Sequence, residues 1–218
     1  MTKKEEAVLK RQQKIQKEME RVEALCRFEK ENAQYEYICG IDEVGRGPFA
    51  GPVLAAAVIL PKDARIMYIN DSKKLSEKRR EELYDVIMEQ AVAVGTGMVS
   101  PERIDEINIL QATYEAMRDA LSELNVKPNV ILVDAVHIPE VEIPQISIVK
   151  GDAKSQSIAA ASIIAKVTRD RMMKEYALLM PEYHFEKNKG YGTREHIDAL
   201  KEFGPSPIHR RSFIHNYL

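Results

Sequence analysis

Asp42 and Glu43 stand side by side at the end of an apolar run, Tyr37-Ile38-Cys39-Gly40-Ile41. Asp134 closes a second such run, Val130-Ile131-Leu132-Val133, and Asp152 follows a third, Ile146 to Val149. Short apolar runs read as buried strands, and sites in an open α/β sheet gather beyond the strands' carboxyl ends. Strands running the same way bring these four acids to one edge. Carboxylates crowded there raise one another's pKa and call for a compensating charge. Magnesium or manganese suits them, since hard cations take oxygen ligands, and two ions match four carboxylates. A pair of such ions activates water and stabilises a leaving oxygen, which is phosphodiester hydrolysis. Taken singly, each acid reads as readily as a turn or cap residue, and Asp152 before Ala153-Lys154-Ser155 fits a helix cap. Three runs ending alike favour the joint reading. Neighbours on a strand point to opposite faces, so Asp42 and Glu43 share a site only if the chain bends, and Gly45 and Gly47 permit a bend.

Other candidates surround these acids. Arg46 lies in the turn Gly45-Arg46-Gly47-Pro48 and is placed to meet one of the carboxylates. Tyr191, in Lys189-Gly190-Tyr191-Gly192-Thr193, is a packing tyrosine or, with glycine and basic neighbours, a contact residue. Lys73, Lys74, Lys187, Lys189, Arg194, Arg210 and Arg211 form a phosphate track if they share the acidic edge, and otherwise are solvated charge. The sequence has no Gly-x-x-x-x-Gly-Lys-Ser/Thr, Gly-x-Gly-x-x-Gly or Gly-x-Ser-x-Gly, which counts against nucleotide-driven, dinucleotide and serine-hydrolase chemistry. Its five histidines lack zinc-ligand spacing, and Cys26 and Cys39 read as bland thiols of a reducing compartment.

The elements that must position these residues follow from pattern. Residues 3 to 34 contain no Gly or Pro and suit a long, highly charged helix with only part of an apolar stripe, an appendage with a solvated face. Residues 37–42 and 51–60 predict an antiparallel strand pair across a short turn. Ser76 predicts an N-cap and a helix to about Met88, followed by a strand over 91–99. Pro101 opens another helix, kinked near Asn108 and ending near Leu124. After Pro128 come two further strands and an Ala-rich helix from Ser155 to Leu179, then a short-helical C-terminal part. Residues 1–34 and 35–218 thus divide into an N-terminal helical extension and one α/β domain. The 218 residues, 44% apolar with a net charge of -2, allow one sizeable core and say little about partners. The longest apolar run, Phe49 to Leu60, is shorter than the ~20 residues of a membrane span. With no apolar leader in the charged first segment, a soluble cytoplasmic protein is expected.

Several motifs together resemble type 2 ribonuclease H, the bacterial ribonuclease HII family. They are Asp42-Glu43-Val44-Gly45-Arg46-Gly47-Pro48, Asp71-Ser72-Lys73-Lys74-Leu75, Val133-Asp134-Ala135, Lys150-Gly151-Asp152, Ala159 to Asp170 and Lys189 to Thr193, in the family's order. The resemblance implies a ribonuclease-H-like fold: a five-stranded mixed sheet flanked by helices, with a C-terminal helical extension. It implies that Asp42, Glu43, Asp134 and Asp152 hold two Mg2+ or Mn2+ ions. It further implies that Gly45, Arg46 and Gly47 embrace a ribonucleotide, that Ser72 and Lys73 contact phosphate, and that Tyr191 checks the 2′-hydroxyl. The expected substrates are RNA–DNA hybrids and duplex DNA with an embedded ribonucleotide, cut on the ribonucleotide's 5′ side to leave 3′-hydroxyl and 5′-phosphate ends. A monomer without membrane partners is expected. Within the enzyme class the alternative is ribonuclease HIII, whose much larger N-terminal domain a 34-residue helix does not match; outside it, a non-catalytic nucleic-acid module, against which the four intact acids speak.

Overall fold

The structure, a computed structural model, describes residues 2–217. Five strands form one mixed sheet: β1 (Ile38–Val44), β2 (Val53–Ile59), β3 (Ala93–Val99), β4 (Val130–Asp134) and β5 (Gln145–Ile148), in the order β3-β2-β1-β4-β5. β1 pairs antiparallel with β2 and parallel with β4, and β4 is parallel to β5. The three runs preceding the acids therefore do run the same way.

Helices cover both faces. α5 (Gln156–Leu179) lies on one, with its Ala and Ile side chains packed on Leu54, Ala56 and Val58, and α3 (Glu77–Gln90) joins it. α4 (Pro101–Ser122) covers the other through Ile104, Ala112, Ala116 and Met117 against Cys39, Ile41, Val53 and Ala57. Strand alternation sorts β1 cleanly. Cys39 and Ile41 face α4, whereas Gly40 faces α5 so closely that a Cβ there would sit 2.1 Å from the Ser157 carbonyl carbon. Ser76 and Ser100 cap α3 and α4 as their spacing predicts, accepting from the amides of Arg79 and Arg103. The kink in α4 has a local cause. Asn108 adopts φ 67°, and its Oδ1 accepts from the amides of Leu110 and Gln111, so it caps a second helical run inside the first.

The predicted N-terminal helix is divided at Cys26 into α1 (Lys3–Leu25) and α2 (Arg27–Glu31). The reason is docking. Val22, Leu25 and Cys26 are buried, and Glu29 accepts from Ser155 Oγ and the Ser157 amide at the start of α5. Glu18 accepts from the Tyr68 amide, and Arg21 donates to the Ile69 carbonyl. The first turns of α1 are exposed. At the other end, α6 (Phe185–Asn188), α7 (Arg194–Phe203) and α8 (Arg211–Ile214) form the short-helical part. No helix among the described residues is long and apolar enough to cross a membrane.

The Gly40 contact fixes how closely β1, and hence Asp42, approaches α5. Gly40→Ala is expected to destabilise the fold by about 1–3 kcal/mol through overpacking. Thermal unfolding reads this at about 2–4 °C per kcal/mol for a chain of this size; an unchanged Tm would show that strand and helix separate without strain.

Candidate active site

The acidic edge forms where β1 and β4 end. Ile41 pairs with Val133, so Asp42 and Asp134 come next in register on neighbouring strands. Asp42 faces α5, where Ser162 hydrogen-bonds its carboxylate, and its Oδ1 also accepts from the Glu43 amide at 2.8 Å. Asp134 Oδ1 accepts from the Gly151 amide at 2.8 Å, tying β4 to the turn that carries Asp152. That turn departs from expectation. Asp152 lies beyond β5 in a 3-10 turn, Gly151–Ala153, and Ser155 rather than Asp152 caps α5 by accepting from the Ile158 amide. Ala135 and Lys150, both with φ near +60° (58° and 59°), bend the chain beside Asp134 and Asp152, a strained arrangement typical of sites.

β1 keeps its pairing through Val44 and the chain turns only at Gly45, yet Glu43 at this strand end is close enough to Asp42 and Asp134 for their charges to act on one another. Glu43 is held by Arg46, whose Nη1 donates to Oε1 at 3.4 Å. Among the described residues, no three His, Cys, Asp or Glu side chains are gathered into a formed metal cage. The acids are nonetheless electrostatically one group. Burial, then the charges of Glu43 and Asp134, push the Asp42 carboxyl well up; Asp42 is only 7% exposed. Burial raises Glu43 too, with Asp134 adding and Arg46 opposing. Asp152 is raised by burial, then by Asp71 and Asp134, and by a hydrogen bond with the Asp71 side chain. An all-oxygen donor set with unbalanced negative charge fits a divalent ion such as magnesium or manganese.

Lys73 is the lysine that answers these acids. Burial pulls its pKa down, but Asp42, Asp152, Asp71 and Glu43 outweigh that and raise it. Its loop is built for the task. Asp71 accepts from the Lys73 amide, and Arg80 donates to the carbonyls of Ser72 and Leu75 while lying 3.7 Å from Asp170. Ser72 is buried, its hydroxyl 2.9 Å from Ser162 Oγ and so linked to Asp42 rather than turned to solvent.

Tyr191 and the Gly45–Gly47 turn stand beyond the end of β1, which carries Asp42 and Glu43. Tyr191 is 43% exposed, and its ring edge lies 3.8 Å from where a Cβ on Gly47 would sit. Gly45 has φ +89° and packs on Arg169, so no larger residue fits. Of the residues considered for a basic track, Arg210 is fully buried, while Lys187 and Arg194 are exposed and lie 3.9 Å from Glu195 and Asp198. Arg210 instead donates to the carbonyls of Gly45, Arg46 and Gly51, and Arg169 to those of Ala50, Pro52 and Lys189. The pattern reading gave neither a supporting role, nor Asp71, Arg80 and Ser162; Asp71, Ser162 and Arg169 were marked only by lying inside the motifs, and Arg80 and Arg210 by no signal of burial.

The profile of the family described as Ribonuclease HII matches residues 39–216, which span all these groups. The chain belongs to the ribonuclease HII family. The ribonuclease HII of Lachnoclostridium phytofermentans is 65% identical over 206 residues, covering 94% of this chain and 81% of that protein. The crystal structure of ribonuclease H2 from Pyrococcus horikoshii OT3 superposes with a TM-score of 0.69 at 28% identity, over 83% of this chain and 96% of that one. Bst-RNase HIII in complex with Mn2+ shares the fold alone, at TM-score 0.59 and 17% identity over 77% of this chain and 63% of that one. The five-stranded mixed sheet is thus a ribonuclease-H-like fold, as expected. As a ribonuclease HII, the chain is a metal-dependent endoribonuclease, of a family that cleaves the RNA strand of RNA–DNA hybrids.

A carboxyl whose pKa is raised by folding holds its proton more tightly folded than unfolded, so it destabilises the metal-free fold as pH climbs through its folded pKa. Asp42→Asn keeps an acceptor for the Glu43 amide and removes that charge. It is expected to raise the Tm of the chelator-treated protein at neutral pH by about 2–4 °C. The gain should fade below about pH 4, where unfolded Asp also binds its proton. A lower Tm at neutral pH would show that the charge is already balanced by the fold.

Proposed function

We propose that this ribonuclease HII cuts on the 5′ side of a ribonucleotide, including a single one embedded in duplex DNA, leaving 3′-hydroxyl and 5′-phosphate ends. The observation that carries the reading is the Tyr191 ring edge beside Gly47, in the turn that leaves β1 one residue after Asp42 and Glu43. Sugar recognition and hydrolysis are thereby held within one strand end of each other. The 2′-hydroxyl is the group that distinguishes RNA from DNA at such a turn.

Asp42, Glu43, Asp134 and Asp152 would hold two divalent ions, Mg2+ or Mn2+, which supply water activation and neutralise charge on the leaving oxygen when bound. Lys73, oriented by Arg80 and Asp71, contacts the phosphate. Ser72 contributes through its loop, since its hydroxyl is engaged by Ser162. The exposed amides of the Arg46–Gly47 segment and the Tyr191 ring close on the ribose. Residues 1–34 serve as a helical extension to the catalytic unit of residues 35–218.

A duplex with one embedded ribonucleotide tests the reading and separates it from a ribonuclease HIII activity. Cleavage with magnesium or manganese and none with chelator is expected; failure on this substrate with robust cutting of long hybrids would favour the HIII-like alternative. Asp134→Asn retains an acceptor for the Gly151 amide and so spares the fold. It is expected to lower cleavage by about 10³-fold or more while hybrid binding persists, and unchanged cleavage sinks the metal-site assignment. Tyr191→Ala is expected to slow cleavage at a single ribonucleotide by about tenfold or more through lost positioning. A wild-type rate there removes Tyr191 from sugar recognition.

A further inference from the structure

Behind Tyr191 lie two histidines that the chemistry above does not use. His196, near the start of α7, and His209 are buried with their Nε2 atoms 2.9 Å apart. His196 Nδ1 is 2.9 Å from the Tyr191 carbonyl oxygen. His209 Nδ1 lies 2.9 Å from the Ser206 amide nitrogen and 2.7 Å from Ser206 Oγ. The two ends dictate the direction of every bond between them. The Ser206 amide only donates, so His209 Nδ1 accepts and its proton sits on Nε2. That Nε2–H donates to His196 Nε2, which leaves the His196 proton on Nδ1, where it donates to a carbonyl that only accepts. One pair of neutral tautomers satisfies the whole chain.

Surroundings reinforce this arrangement. Tyr183 and Phe185 pack on His209 at centroid distances of 5.0 and 5.8 Å, and Phe185 meets His196 edge-on at 5.4 Å. Phe49, from the loop after Gly47, lies 6.2 Å from the His196 ring and fills the space a Gly192 side chain would need. Burial lowers the pKa of both rings, that of His209 to about 4, in keeping with neutral imidazoles. The Tyr191 carbonyl also accepts from the Thr193 amide at 2.8 Å, so the histidine supplies its second bond.

We infer that the His196–His209 pair is a positioning device for Tyr191: a one-way hydrogen-bond relay from Ser206 that fixes the Tyr191 main chain and so sets its ring against the Gly45–Gly47 turn. The inference rests on the reading of Tyr191 as the ribonucleotide contact. Asn188 and the Phe49 and Ala50 amides tie the segment on its Gly190 side, and the relay adds a side-chain tie at the Tyr191 carbonyl, next to Gly192.

Two measurements test it. In the intact protein at neutral pH, imidazole nitrogen NMR is expected to show His196 protonated on Nδ1 and His209 on Nε2; the opposite tautomer on His196 overturns the relay outright. Kinetics on the single-ribonucleotide duplex then compare His196→Phe, which keeps the aromatic packing, with His196→Asn, whose amide nitrogen replaces Nδ1 toward Tyr191. His196→Phe is expected to lower kcat by about tenfold, as misplacement of a positioning group does. KM should change by less than about twofold, since ground-state contacts persist. His196→Asn should stay within about threefold of wild type, and the double variant with Tyr191→Ala should be no slower than Tyr191→Ala alone, because the two act as one unit. A folded His196→Phe with wild-type kcat, beside a slow Tyr191→Ala, reduces the pair to packing and leaves the ribonucleotide reading standing. A wild-type rate for Tyr191→Ala itself overturns that reading, and the positioning role falls with it.

Discussion

Two buried guanidinium groups beneath an eight-residue loop, Gly45 to Pro52, hold this site in shape. Arg169 and Arg210 are both fully buried, and among the described residues neither pairs with a carboxylate; their donors go to main-chain carbonyls of the loop and of Lys189. A loop between strands has carbonyls that no ladder satisfies, and leaving one buried and unpaired costs about 1–3 kcal/mol. Arginine answers this better than lysine, since its planar fork reaches several acceptors at once and is more weakly hydrated. Burial presses the pKa of Arg169 to about 10 and that of Arg210 to about 9, each lowered first by desolvation and Arg210 further by Arg169. Both remain cations at neutral pH. The turn that follows the acids therefore rests on positive charge, while the strand end before it carries negative charge.

On the proposed function, this division of charge would let one short segment meet both a phosphodiester and the ions that act on it. Lys73 joins from a separate loop, locked by Arg80 and Asp71, so that a cation faces the acids without neutralising them by direct pairing. The arrangement is poorly balanced as it stands. Three of the acids have raised pKa values because burial and mutual repulsion outweigh the cations within reach. Such imbalance is what the proposed ion site requires, a charge larger than any side chain supplies.

The strands, their parallel sense, the cap at Ser76 and the helix start at Pro101 were legible because each depends on local pattern: apolar runs, a polar hydroxyl, a proline at a first turn. So was the meeting of Asp42 with Asp134, which needs only two parallel strands ending together. What escaped pattern reading was tertiary. Arg210 looked like one more surface cation in a basic segment, yet the segment folds back so that Ala50 bridges to His209 and the guanidinium is drawn under the loop. No periodicity marks a charged residue as buried; only its partners do, and those lie more than a hundred residues earlier in the chain. How Asp42 and Glu43 share the strand end was left open by pattern alone, because it depends on β2 pairing with β1 through Val44 and keeping the strand regular until Gly45.

The C-terminal helices follow from the same logic and are not an accessory to the sheet. The amides of Phe49 and Ala50 both donate to the Gly190 carbonyl, the Arg210 amide donates to the Phe49 carbonyl, and the Gly51 amide to that of Ile208. The loop that leaves the acids is thus secured by two separate pieces of the last thirty residues, one carrying Tyr191 and the other Arg210. A sheet with α4 and α5 alone would have its core and its acids but an unsatisfied, mobile turn beside them. Residues 185–214 complete that turn from below through Arg210 and from the side through Tyr191. On the function proposed above, selectivity for the sugar belongs to the contact between the first strand's loop and the chain's last segment and hydrolysis to the strand ends, and Gly45 is the point where the two are joined.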